Sequence, residues 1–140
     1  MKEQEALMHG GYALVLARKG LLITARRGIG VQLLLEALDR HPEDLCEAQA
    51  ADQVVGKGAA MLMVRGGVCK VYGKIMSQAA ERYLTFWKIP HEFGTLVPMI
   101  SDRAGNGICP IEQSVLKLND PIEGERVIRQ TVSQLMKPNQ

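Results

Sequence analysis

The stretch from Gly56 to Ala80 constrains this chain more than any other part of it. It runs Gly56-Lys57-Gly58-Ala59-Ala60-Met61-Leu62-Met63, then Val68-Cys69-Lys70-Val71-Tyr72, then Ser77-Gln78-Ala79-Ala80. The spacing predicts helix, strand, helix, with small residues at both helix starts. Two helix N-termini at one sheet edge present free amides and positive dipole ends, a frame suited to an anion or a metal. Neither start carries a His or Cys pair at metal-ligand spacing.

The flanking segments predict a layered α/β or α+β domain around that unit. Lys2 to Met8 reads as a short helix ended by Gly10-Gly11. Tyr12 to Ala17 and Leu21 to Ala25 read as an antiparallel hairpin turning at Arg18-Lys19-Gly20. The first of these strands is apolar on both faces, so each face needs cover. Val31, Leu34, Leu35 and Leu38 fall at helical spacing. Pro42 fits the first turn of a further helix to about Ala50, and Asp52-Gln53 are placed to cap the next one, Val55 to Val64. Val68 to Ile75 is expected as a strand with Cys69 in the core, and Ser77 as the cap of a helix through about Trp87. His91 to Val97 is expected as a strand, Ser101 to Gly107 as a loop, and Ile111 to Leu118 and Ile122 to Met136 as helices. The 140 residues predict a single domain over 1–140, its core from about Tyr12 to Leu118 and a frayed tail from Lys137 to Gln140.

Composition narrows the function classes. Apolar residues at 46% suffice for a core that needs no disulfide or metal. A net charge of +2, with basic and acidic residues interspersed, lacks the basic stripe of a nucleic-acid binder. Aromatics at 4% are too few for base-stacking platforms. The three cysteines, Cys46, Cys69 and Cys109, have no paired spacing and fit a reducing cytoplasm. The polar start Met1-Lys2-Glu3-Gln4-Glu5 is unlike a signal peptide, and no apolar run is long enough to span a bilayer.

Each motif has a plain alternative. Gly56-Lys57-Gly58 lacks the spacing and the Ser or Thr of a phosphate-cradling P-loop. It reads either as an anion site with Lys57 or as tight packing with Lys57 in solvent. The loop Asp102-Arg103-Ala104-Gly105-Asn106-Gly107 has Ala104 and Gln113 where calcium needs oxygen ligands, which leaves a loop presenting Arg103 and Asn106. Cys109 lies at the start of the Pro110 helix, where the dipole favours an anion, and is a candidate nucleophile or ligand contact. Glu112, three residues on, fits a capping box, and the plain reading makes Cys109 a small buried hydrophobe. His9, His41 and His91 are isolated, and Arg26-Arg27 reads as an anion-binding edge or a solvated pair.

The order of elements resembles the cytidine deaminase-like fold, a three-layer α/β/α sandwich with a mixed sheet. More closely, the chain resembles an uncharacterised family of small, mostly prokaryotic proteins assigned to that fold. The resemblance rests on Val54-Val55-Gly56-Lys57-Gly58-Ala59-Ala60, the strand leading to Ser77, and Asn106-Gly107-Ile108-Cys109-Pro110-Ile111-Glu112. Zinc deaminases carry His-x-Glu at one helix start and Pro-Cys-x-x-Cys at the next. This chain has Gly56-Lys57-Gly58 at the first, and Ser77 and Ala80 where the two thiolates would stand. The resemblance therefore implies neither zinc nor another cofactor, and no hydrolytic deamination. The superfamily's zinc-free members keep other functions, so the substrate stays open.

Two function readings follow. One is a binding module for a small anionic or nucleotide-like ligand held by Gly56, Lys57, Gly58 and Ser77, with Arg103, Asn106 and Cys109 closing the pocket. The other is a metal-free enzyme using Lys57, Cys109 or Glu112 in group transfer or acid–base work, which requires Lys57 and Cys109 to converge in one cleft. A homo-oligomer paired through an open sheet edge is a third expectation.

Overall fold

In the computed structural model, which describes residues 10–28, 30–102 and 104–136, the hairpin expectation holds. Strands β1, Leu14–Arg18, and β2, Leu21–Arg26, pair antiparallel. Lys19 and Gly20 turn between them with φ of 52° and 77°, the signs a two-residue type I′ turn needs. Helix α1, Gly30–Arg40, follows with the expected apolar stripe.

The next segment departs from the sequence expectation. Pro42–Asp44 is a single 3-10 turn, not a helix to Ala50. Glu47 takes a φ of 58°, which ends any helix there. Gln49–Val55 is then strand β3, where helical caps were expected at Asp52-Gln53. Its residues have little strand propensity. The ladders on both sides decide its conformation: β3 runs antiparallel to β1 and parallel to β4, Lys70–Ser77.

Helix α2, Lys57–Gly66, connects β3 to β4, and α3, Gln78–Phe86, connects β4 to β5, His91–Val97. Ser77 caps α3 as expected, its Oγ accepting from the Ala80 amide at 3.1 Å. Pro110–Val115 forms the short α4 and Pro121–Leu135 the terminal α5. The result is a mixed α/β fold with a five-stranded sheet in the order β2-β1-β3-β4-β5.

Helix α2 sits centrally against α1, α3, α4 and α5, so Ala59 to Met63 are buried on every side. Leu14 and Leu16 join this core from β1, while Val15 packs with Ala51 and Tyr72 on the opposite face. Both faces of β1 are thus covered, as its composition demands. Among the described residues the helices share one face of the sheet. The helix expected over Lys2 to Met8, and the tail from Lys137, lie outside the described residues. Cys69 is exposed, not core: it precedes the first residue of β4, and its thiol donates to the Glu47 carbonyl at 3.3 Å.

Candidate functional site

Strand β3 ends at Val55, and Gly56 caps the start of α2. A cavity of about 310 Å3 opens there, lined by Asp52, Gly56, Gly58, Ile100, Cys109 and Ile111 among others. Its walls come from Ala13 just before β1, the end of β3, the starts of α1, α2 and α4, and the segment after β5. Most of the lining is apolar. A concave, largely apolar hollow with few polar groups is the common form of a small-ligand site.

Asp52 is its distinctive member. Register pairs it with Leu14, on the helix-covered face, and it is 2% exposed. Its Oδ1 accepts from the Val54 amide at 3.4 Å, a long contact. Its Oδ2 is buried with no hydrogen-bond partner among the described residues. Burial pushes the carboxyl up to about 7, against a smaller opposing effect of the Val54 and Gln53 amides. A buried polar oxygen without a partner is rare, and an acid poised near neutrality in a hollow is a functional-site signature. The sequence reading treated Asp52 as a helix cap. An acid and an amide, Asp52-Gln53, between the apolar pairs Ala50-Ala51 and Val54-Val55 were the available signal, masked by reading them as a helix cap.

Glu112 also borders the cavity but is fully engaged. Its Oε1 accepts from the Lys57 amide at 3.0 Å and from the Ser77 hydroxyl, and its Oε2 accepts from the Ile100 amide at 2.7 Å. It does not cap its own helix: the Cys109 amide donates to the Ile100 carbonyl at 2.7 Å. Instead it clips the starts of α2 and α3 to the segment after β5. That leaves Gly58 and Ala59 with first-turn amides that no helical carbonyl can reach, at the cavity wall.

A family model described as TM1506, a domain of unknown function (DUF1893), matches residues 2–132. The chain belongs to the DUF1893 family. The fold of this DUF1893 protein is similar to the crystal structure of a DUF1893 family protein, TM1506, from Thermotoga maritima. The TM-score is 0.78 at 22% identity, covering 93% of this chain and 85% of that one. At that identity the likeness is one of fold. No curated protein matches the chain.

The remaining candidates of this DUF1893 chain scatter. Gly56, Gly58, Cys109 and Glu112 border the cavity. Ser77 is buried behind it, bonded to Glu112. The Lys57 ammonium points into a second hollow, bounded by Arg82, Tyr83 and Leu116, so Lys57 and Cys109 line separate pockets. Asn106 is exposed in its loop, its amide bonded to Asp102 at 2.9 Å. Arg103 lies outside the described residues, as does His9. His91 stands at the far end of β5, its Nε2 2.6 Å from Glu81. Arg26 pairs with Glu36 at 2.7 Å, and Arg27 stacks over Tyr12. No group of three or more His, Cys, Asp or Glu side chains suited to a metal occurs among the described residues, and no helix there is long and apolar enough to cross a membrane.

Packing explains part of the glycine pattern. A Cβ on Gly58 would stand 2.7 Å from Ile111 Cγ2. Gly58→Ala is therefore expected to push α4 off α2 and destabilise the protein by about 1–3 kcal/mol, measured by urea unfolding.

Proposed function

We propose that this DUF1893 protein is a small-molecule binding module on a cytidine deaminase-like fold, and that its nucleotide-like ligand enters the cavity beside Asp52. The observation that carries the reading is the buried Asp52 Oδ2, without a hydrogen-bond partner among the described residues, at an apolar hollow that Asp52 lines. A planar heterocycle fits such walls, and a ring or exocyclic N–H would supply the missing hydrogen bond. The strand order β2-β1-β3-β4-β5, with crossover helices starting at Gly56 and Ser77, supports the deaminase-like assignment. The acid argues that the heterocycle, rather than an anionic group, occupies this cavity.

The protein is proposed to act without zinc. Lys57 and Gly58 at one helix start, and Ser77 and Ala80 at the other, supply no imidazole or thiolate, and the Ser77 hydroxyl is spent on Glu112. The alternative reading as a metal-free enzyme rests on Cys109 and Asp52, which share the cavity. Lys57 lies outside it, and the Glu112 oxygens are occupied.

A thermal-shift screen of free bases, nucleosides and nucleotides at pH 6 and pH 8 tests the reading. A true ligand at a hundred times its dissociation constant adds about 2.7 kcal/mol of stability. Asp52→Asn is expected to weaken that ligand by about tenfold or more. A screen without a stabilising compound, or a hit that binds Asp52→Asn equally well, sinks the proposal. Stoichiometric zinc by elemental analysis would overturn the zinc-free part.

A further inference from the structure

The second hollow, about 370 Å3, lies on the other side of the α2 start. It is walled by Lys57, Arg82, Tyr83, Phe86, Leu116 and Asn119. Lys57 is 6% exposed, yet its ammonium makes a single hydrogen bond, to the Leu116 carbonyl at 2.8 Å. An ammonium carries three donors, so two find no acceptor among the described residues. Its nitrogen also lies 5.7 Å from the Tyr83 ring centroid.

The second cation lining the hollow is Arg82. Among the described residues neither Lys57 nor Arg82 forms an ion pair with a carboxylate. Glu112 reaches the Lys57 backbone amide, but its oxygens serve Ser77 and Ile100 on the other side of the helix start. Buried charges are ordinarily paired, and a cation pair converging on a hollow without an acid is the complement of an anion.

We propose that this hollow is a binding site for a phosphomonoester carried on an aromatic or apolar group. The Arg82 guanidinium offers a fork that matches phosphate oxygens bidentately, and Lys57 offers its unused protons as a point charge. Tyr83 and Phe86 form the wall against which the apolar carrier packs. The Tyr83 hydroxyl, donating to the Asn119 carbonyl at 2.8 Å, fixes that wall.

The electrostatics agree with this geometry. Burial holds the Lys57 ammonium below the ordinary lysine value, with Arg82 adding repulsion and Glu112 offsetting part of both. An incoming dianion relieves both effects. Burial pushes the Tyr83 phenol up to about 12, so it stays neutral and adds no opposing charge.

Trp87, the one tryptophan of the chain, packs edge-on against Phe86 with centroids 5.7 Å apart and reports on the site. Phenyl phosphate, titrated into the full chain and followed by tryptophan fluorescence, is expected to saturate with a dissociation constant at or below about 1 mM. Inorganic phosphate should bind more weakly, lacking the aromatic contact. Arg82 is exposed, so Arg82→Gln should keep the fold and weaken phenyl phosphate about tenfold or more. Lys19→Gln removes the same charge at the hairpin turn and should leave binding unchanged. Asp52→Asn should also leave it unchanged, which separates this site from the cavity beside β3. Lack of saturation, or equal weakening by Arg82→Gln and Lys19→Gln, would overturn the proposal.

Discussion

Replacing Asp52 with Asn is expected to stabilise the protein by several kcal/mol at pH 8 while changing little at pH 4. The carboxyl is held at about 7 in the folded chain against an ordinary 3.8. Below pH 4 it is protonated in both states, and its burial carries no ionisation penalty. As pH rises from about 4 to 7, the unfolded chain releases its proton and the folded chain retains it. Stability then falls with pH, because the folded state binds more protons. The difference, about three pH units at 1.36 kcal/mol each, is about 4 kcal/mol, fully lost above pH 7. Asn has the same shape, keeps an acceptor toward the Val54 amide and never ionises. Asp39, Glu36, Glu81 and Glu123 have opposite shifts, their carboxyls lowered chiefly by hydrogen bonds from Arg129, Arg26, Thr85 and Arg126. The wild type minus variant difference cancels these. Urea unfolding at pH 4, 6 and 8 measures it, and a flat difference across that range would show that Asp52 is not held near neutrality.

Glu112→Ala should be the most destabilising single change at the site, at roughly 3–6 kcal/mol. Glu112 is 2% exposed and accepts from the Lys57 amide, the Ser77 hydroxyl and the Ile100 amide. Alanine leaves two buried donors, the Lys57 amide and the Ser77 hydroxyl, unpaired at about 1–3 kcal/mol each, and a half-buried one at Ile100 that costs less. Total stabilities of about 5–15 kcal/mol make such a loss large. Glu112→Gln keeps the shape and one acceptor oxygen and should recover about half. Amide exchange at Lys57 and Ile100 gives the local readout, since both amides should lose protection together. Unchanged exchange at these two amides, with only modest global loss, would mean that the clip is not what joins the helix starts.

The legible parts of this fold are those with local chemistry. Gly20 announces a tight turn, because glycine takes its left-handed φ of 77° without strain, while Lys19 takes a φ of 52° that the hairpin imposes on it. Ser77 before Gln78-Ala79-Ala80 announces a helix start, and its hydroxyl makes the expected bond. Pro110 and Pro121 mark first turns, because a missing amide proton does no harm there. Gly56-Lys57-Gly58 was recognisable as a helix start beside a pocket. Which way Lys57 points was not, because a first-turn side chain goes where its neighbours leave room.

The hidden parts depend on partners far away in the chain. Gln49–Val55 is a strand because β1 and β4 hydrogen-bond to it from both sides, against its own weak propensity. Glu112 resembled a cap for its own helix, since the sequence shows only the neighbours three residues away. Its real partners lie 55, 35 and 12 residues off. By itself the sequence determined the hairpin, the helix starts and the lack of zinc ligands at them, because these follow from short-range backbone and side-chain chemistry. The tertiary structure alone decided that Asp52 is buried with one oxygen unpartnered among the described residues, and that Lys57 and Cys109 face different hollows. Burial and convergence are properties of the packed chain, and no local pattern encodes them.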